Sequence, residues 1–309
     1  MLLDWQGIDL KNWKKHLDAS NKKANLPQFV EEMVVDLNMS NSIFVDNTAH
    51  EGITNFYEKI LDNSISISTP NKIATSSAYL QYQRLKSIAE KRGVKFMYET
   101  NVGAGLPVIT TLNDLRMSGD RILKIEGVLS GSLSFIFNNF DGSRKFSDIV
   151  KEAKEKGYTE PDPREDLSGF DVRRKIVILA RETGIAIEPE DVKINSILPK
   201  KVMNAKSVEA FFTTLEKEDD NMKKMCLAAA EKGKFLRMVA KLENGKATIG
   251  LQAVEKDSPF ATLSGSDNMI VFTTERYKER PLVIRGPGAG AEVTAAGVFA
   301  EIVRIGNLI

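Results

Sequence analysis

Apolar residues follow two different rhythms in the first third of the chain. Short runs at Ser42–Asp46 (SIFVD), Ser64–Ser68 (SISIS) and Val94–Tyr98 (VKFMY) read as strands. Between them, near Glu51–Leu61 and Thr75–Arg92, apolar positions recur at helical spacing, and Gly93 is placed to stop the second helix. Pro27 opens a further helix, PQFVEEMVVDL, ahead of the first strand. Strands separated by helices imply βαβ units, and therefore a parallel sheet with right-handed crossovers. Three strands are few for such a sheet.

The pattern changes after residue 120. Arg121–Leu129 (RILKIEGVL) alternates like a strand and runs into SGSLSFIFNNF, and helices follow near Phe146–Lys156 and Gly169–Thr183. Phe235–Leu242 and Ala247–Val254 flank ENGK, with Asn244-Gly245 at the turn of a predicted antiparallel hairpin. Met269–Thr274 and Pro281–Arg285 add two strands, and GPGAG leads into a closing helix from about Ala291 to Ile305. This half reads as a mixed or antiparallel sheet with helices on one face. The expectation is an α/β protein in two parts. Residues 1–120 form an incomplete Rossmann-like parallel domain, completed by the closing helix (291–309), and 121–290 form an α+β catalytic and dimerisation domain.

Composition narrows the chemistry. Lys and Arg number 43 against 42 Asp and Glu, so no net field attracts nucleic acid or an anionic membrane. No apolar run approaches the ~18 residues of a membrane span, and the amino terminus lacks the apolar region of a signal peptide. Cys226 is the single cysteine, which fits a cytoplasmic setting, and it lies in a helical stretch, MKKMCLAAAEKGK, as a buried structural residue. With only His16 and His50 in the chain, sites built from several His and Cys are excluded. Lysines, carboxylates and a cofactor must then carry any reaction.

A nucleotide-binding domain normally opens with strand, G-x-G-x-x-G and helix. Nothing of that kind precedes Ser42. Gly103-Ala104-Gly105 lacks the third glycine. Gly286-Pro287-Gly288-Ala289-Gly290-Ala291 satisfies G-x-G-x-x-A, but too little chain follows to complete the unit. It reads as a pyrophosphate loop, as a tight crossing, or as backbone close to a ligand.

The richest segment is GYTEPDPREDLSGFDVRRKIVILAR, Gly157–Arg181. Acidic residues Glu160, Asp162, Glu165, Asp166 and Asp171, with Glu182 just beyond, crowd around Pro161, Pro163 and a helix start. Ser168-x-x-Asp171 matches a capping box. Lys175 lies along the apolar stripe of Val172, Ile176, Leu179 and Ala180, one turn after Asp171. A lysine desolvated beside carboxylates can shuttle a proton. A surface ion pair is the plainer alternative. Lys72 and Thr48 follow the second and first strands, at the edge where open α/β sheets hold their ligands.

Taken in order, VDNTAH, STPNKIATSS, YETNVGAGLPVI, EGVLSGSLSFIF, GYTEPDPREDLSGFDVRRK and GPGAGAEVTAAGVFA resemble the homoserine dehydrogenases. The match covers nearly the whole chain and is closest to the carboxy-terminal half of bifunctional aspartokinase–homoserine dehydrogenases. The resemblance implies NAD or NADP as cofactor, homoserine and aspartate semialdehyde as substrates, and a homodimer or higher oligomer. In bifunctional members an aspartokinase is fused upstream. It also implies roles. Lys175 resembles the general acid/base, with Lys72, between cofactor and substrate, its rival. Glu160 and Asp171 resemble substrate-binding carboxylates, and Asp166 and Tyr158 share their segment. Thr48 and Gly290, with Thr294 nearby, match the nicotinamide side. Glu99, Val102, Ala104 and Leu106 match a monovalent-cation site, for sodium, built mostly from backbone carbonyls. Family members carry a strand, glycine-rich turn, helix and strand before the region of MLLDWQGIDL, so a fragment with a weakened cofactor site is expected. A non-catalytic substrate-binding or dimerisation fragment is the alternative.

Overall fold

The computed structural model describes residues 1–4, 6–37 and 39–308. Three short strands, β1 (Ile43–Val45), β2 (Ser66–Ser68) and β3 (Phe96–Met97), form a parallel sheet in the order β1-β2-β3. Ile43 pairs with Ser66, and Ile67 pairs with Phe96. Helix α1 (Tyr79–Arg92) crosses from β2 to β3 and stops at Gly93, whose φ of +69° is the left-handed conformation a helix stop needs. The predicted helix from Pro27 begins at Leu26, capped by the Asn25 side chain, and becomes π-helical over Glu32–Leu37.

Helix α2 (Ile109–Met117) leads to a six-stranded sheet. Its strands are β4 (Ile122–Val128), β5 (Lys193–Ile194), β6 (Lys234–Glu243), β7 (Lys246–Glu255), β8 (Asp267–Thr274) and β9 (Leu282–Pro287). The order is β5-β7-β6-β4-β8-β9, antiparallel throughout except that β5 runs parallel to β7. Asn244 and Gly245, with φ of +51° and +74°, make the turn between β6 and β7, as a two-residue hairpin requires. Helices α3 (Gly131–Asn139), α4 (Phe146–Glu155), α5 (Phe170–Glu182) and α6 (Asp219–Ala230) lie between the strands in sequence, and α7 (Ala291–Gly306) closes the chain. Ile309, the end of the predicted completing segment, lies outside the described residues.

Helix α5 is the structural junction. Ile176, Val177, Ile178, Leu179 and Ala180 are all fully buried, because the helix packs on β6 and β7 on one side and on α2 and Ile73–Ser76 on the other. A stretch of helix that is apolar all round, as residues 176–180 are, belongs inside a core. Helix α7 returns to the parallel sheet, against β2 and Glu99–Asn101. The approach is close enough to demand glycine twice. A Cβ on Gly297 would sit 2.5 Å from Thr100 Cγ2, and one on Gly105 would sit 2.6 Å from the Val293 carbonyl oxygen.

Three local expectations need correcting. Thr75–Arg92 is not one helix: Ile73–Ser76 and α1 are separate, with Ser77 extended. The buried Arg181 guanidinium accounts for the break, since it donates to the carbonyls of Thr75 (2.8 Å) and Ser77 (2.5 Å) that a continuous helix would use itself. Glu51–Leu61 likewise divides into Glu51–Thr54 and Tyr57–Asp62. The capping box at Ser168 does not form. Gly169, with φ of +73°, precedes the first residue of α5, and the Asp171 carboxylate turns to lysines instead of the helix end.

Candidate active site

Lys175 is 8% exposed, where α5 passes the end of β4. Its ammonium donates to the Leu129 carbonyl at 2.7 Å and pairs with Asp171 Oδ2 at 2.8 Å. The other Asp171 oxygen, Oδ1, is 3.4 Å from Lys72 Nζ, which arrives from the carboxyl end of β2. Asp171 thus ties a lysine of the six-stranded half to a lysine of the parallel half. Burial would raise the Asp171 carboxyl, but the nearby charges of Lys175 and then Lys72 outweigh it and hold the group well below its ordinary range. About half of the Asp171 side chain remains open to solvent. Burial, and the Lys175 charge, push Lys72 down from its ordinary value, with Asp171 opposing.

These groups border a cleft of about 410 Å³ lined by Ser130, Ser132, Tyr158, Glu160, Asp166, Asp171, Lys175, Ser266, Ala289 and Gly290, among others. Asp166 organises its floor. It accepts from Ser132 Oγ at 2.7 Å and from the Glu160 backbone N–H at 2.9 Å, pinning the 157–162 loop to the start of α3. Asp162 caps the short helix Pro163–Leu167 and pairs with Arg164. Tyr158 stacks on Phe135 with ring centroids 4.5 Å apart, so one wall is aromatic. The Glu160 side chain is exposed at the rim.

Of the predicted residues, Lys175, Asp171, Glu160, Asp166, Tyr158 and Gly290 share this cleft, and Lys72 touches it through Asp171. Thr48 does not line it. Thr48 lies after β1, its N–H on Asp46 Oδ1 (2.8 Å), beside a buried network in which Asp46 also accepts from Tyr57 and Asn71. Thr294 Oγ1 is spent on the Gly290 carbonyl at 2.8 Å. Glu182, grouped with the acidic loop by sequence, sits at the far end of α5 and accepts from Tyr82 and Tyr98. Sequence reasoning missed Ser130, Ser132 and Ser266. Ser130 could have been found: its side chain accepts from Leu133 N–H, the signature of an N-cap opening α3. Cys226 is buried in α6 with its thiol on the Phe140 carbonyl, and burial pushes its pKa up, which suits a structural residue.

The glycine turn brings bare backbone to the cleft. Gly290 holds φ at +124°, which favours glycine, and its backbone faces the cleft beside Ala289. A Cβ on Gly288 would lie 2.1 Å from the Asn268 side chain, so only glycine fits there as well. The 99–106 segment offers carbonyl oxygens. The Glu99 carboxylate is already engaged, capping α2 through the N–H groups of Ile109 (2.6 Å) and Thr110 (2.8 Å). The Leu106 carbonyl accepts from Val108 at 2.9 Å, and Ala104 holds φ at +52°. Among the described residues no group of three or more His, Cys, Asp or Glu could hold a metal, so a cation here would rest on neutral carbonyls. No helix among them is long and apolar enough to cross a membrane.

A family model described as "Homoserine dehydrogenase" matches residues 107–303, and one described as "Homoserine dehydrogenase, NAD binding domain" matches residues 3–99. The homoserine dehydrogenase of Schizosaccharomyces pombe is 42% identical over 98% of this chain and 82% of its own length. This chain belongs to the homoserine dehydrogenase family. It carries the sequence of both the NAD-binding and the catalytic domains of that family. It is also 45% identical to a chloroplastic bifunctional aspartokinase/homoserine dehydrogenase of Zea mays, of which it spans about a third, 34% of the length. Among solved structures, a Candida auris protein of unknown function superposes with a TM-score of 0.90 at 40% identity, covering 97% of this chain and 85% of that one.

Proposed function

We propose that the chain interconverts L-homoserine and L-aspartate 4-semialdehyde with NAD or NADP, a step toward threonine and methionine. The observation that carries this reading is the meeting of Lys175, Asp171 and Lys72, with the Gly290 turn lining the same cleft as Lys175 and Asp171. An ammonium has three N–H donors. Lys175 commits one to Leu129 and one to Asp171, which leaves the third to give its proton to the semialdehyde oxygen in reduction, and in oxidation the neutral amine takes the hydroxyl proton back. A nicotinamide cofactor, when bound, would supply or receive the hydride. Glu160 holds the ammonium group of the amino acid, Asp171 is the second substrate-binding carboxylate, Asp166 keeps the Glu160 loop in place, and Tyr158 walls the cleft. The family resemblance would set Lys72 between substrate and cofactor and Thr48, Gly290 and Thr294 toward the nicotinamide.

The carbonyls of Glu99, Val102, Ala104 and Leu106 suit a monovalent cation such as sodium, which would stiffen the loop under α7. A homodimer in the cytoplasm, with an aspartokinase upstream in the bifunctional form, completes the proposal, and so does the division into residues 1–120 with 291–309 and residues 121–290. Formation of reduced nicotinamide from homoserine, with NAD and NADP in turn, tests the reaction. Homoserine-dependent reduction supports it. Homoserine binding with no turnover on either cofactor would favour a non-catalytic module.

A further inference from the structure

Asn268 stands out among the buried polar residues. It is fully buried on β8, pairs with Gly286 on β9, and neither its Oδ1 nor its Nδ2 finds a hydrogen-bond partner among the described residues. A buried amide left unpaired is costly, and a Leu of similar shape would avoid the cost altogether. Its side chain fills the space directly under Gly288, which has room for no Cβ of its own. Two positions before it, Ser266 lines the cleft, and two positions after Gly288, so does Gly290. The turn above it has φ of +159° at Gly286 and +124° at Gly290, and Pro287 offers no N–H. Gly288 lies directly against the Asn268 amide, so the peptide groups on either side of it are the ones a shift of the turn would bring into pairing.

We infer that Asn268 is a positioning residue for the glycine turn, whose amide pairs with the turn's peptide groups in the form that receives the nicotinamide end of the cofactor. The unpaired amide of the free protein is then a reserve that cofactor binding draws on, and part of the binding energy comes from satisfying it. This role rests on the dehydrogenase reading proposed above. It makes two opposite demands on one substitution. Asn268→Leu removes the unpaired groups, so the free protein keeps or gains thermal stability. The same variant cannot lock the turn, so NADPH or NADP binds about tenfold more weakly.

The test combines three readouts on the whole chain: melting temperature without cofactor, the dissociation constant for NADPH and NADP by calorimetry, and hydrogen exchange of residues 286–290 with and without NADPH. The expected result is an unchanged or higher melting temperature, about tenfold weaker cofactor binding, and loss of the cofactor-induced slowing of exchange in the turn. Unchanged homoserine affinity would localise the defect to the cofactor side. A lowered melting temperature with unchanged cofactor affinity would make Asn268 an ordinary structural residue and overturn the inference. Unchanged values of all three would overturn it too, while leaving the dehydrogenase reading intact. Failure of the wild-type chain to bind NADPH, NADP, NADH or NAD would sink both together.

Discussion

Glu301 joins the closing helix to the parallel sheet, and its burial has a measurable consequence. The residue is 2% exposed on α7. Oε2 accepts from Ser68 Oγ and Oε1 from the Glu99 backbone N–H, each at 2.5 Å. Burial pushes its pKa up from 4.5 to about 7, the two hydrogen bonds oppose the rise, the Glu99 carboxylate adds to it, and Arg304 opposes it. Lys86 and Glu182 face it across a small cavity under β3. In the unfolded chain the carboxyl loses its proton near 4.5, so between there and about 7 the native state binds more protons than the unfolded one. Stability contributed at this site therefore falls as pH rises through that window and stays low above it. The deficit at pH 8.5 is about 3 kcal/mol, from ~1.4 kcal/mol for each tenfold change in proton affinity. Glu301→Gln mimics the protonated form at every pH: its amide oxygen can accept from Glu99 N–H while its amine meets Ser68 Oγ. The variant should match the wild type at pH 4.5 and exceed it by up to about 3 kcal/mol at pH 8.5, measured by urea unfolding at a series of pH values. A difference independent of pH, or one that favours the wild type more strongly as pH rises, would refute the reasoning.

Three further outcomes follow from the site and its supports. Asp171→Asn removes the carboxylate shared by the lysines. Turnover should drop about 100-fold, and the basic limb of the pH–rate profile should move to lower pH as Lys72 loses its counter-charge. Asp166→Ala frees the Glu160 loop and Ser132, so KM for homoserine should rise about tenfold while cofactor affinity holds, as steady-state kinetics would read. Gly105→Ala drives a methyl group into the Val293 carbonyl, and should cost about 1–3 kcal/mol in chemical denaturation by prising α7 from the 99–106 loop.

Much of this architecture can be read from local pattern. Alternation found the strands of the second sheet, because β6, β7 and β8 are long enough to show a period of two, and Asn244-Gly245 fixed the hairpin between them. Lys175 could be singled out because a charged residue on an apolar helix stripe needs a partner, and the partner one turn earlier was visible. The two-residue strand β5 carries too few positions to show a period. Helix breaks at Ser77 came from the buried Arg181, a hundred residues away in sequence and invisible to any local window. The same limit hid the pairing of Lys72 with Asp171, the docking of Glu301 on Ser68, and Asn268 beneath Gly288. Each depends on which elements pack together, whereas Gly169 in place of a Ser168 cap shows that even a local motif yields to the backbone conformation the packing needs.

The role proposed for Lys175, held by Leu129 and Asp171, is transfer of the proton that accompanies hydride transfer, given by its ammonium in reduction and accepted by its neutral amine in oxidation. The most direct measurement is kcat for homoserine oxidation by Lys175→Met and Lys72→Met beside the wild type, with cofactor dissociation constants measured in parallel. Lys175→Met should lose at least about 100-fold in kcat with cofactor affinity kept. An undiminished kcat in Lys175→Met, with the loss falling on Lys72→Met instead, would contradict it.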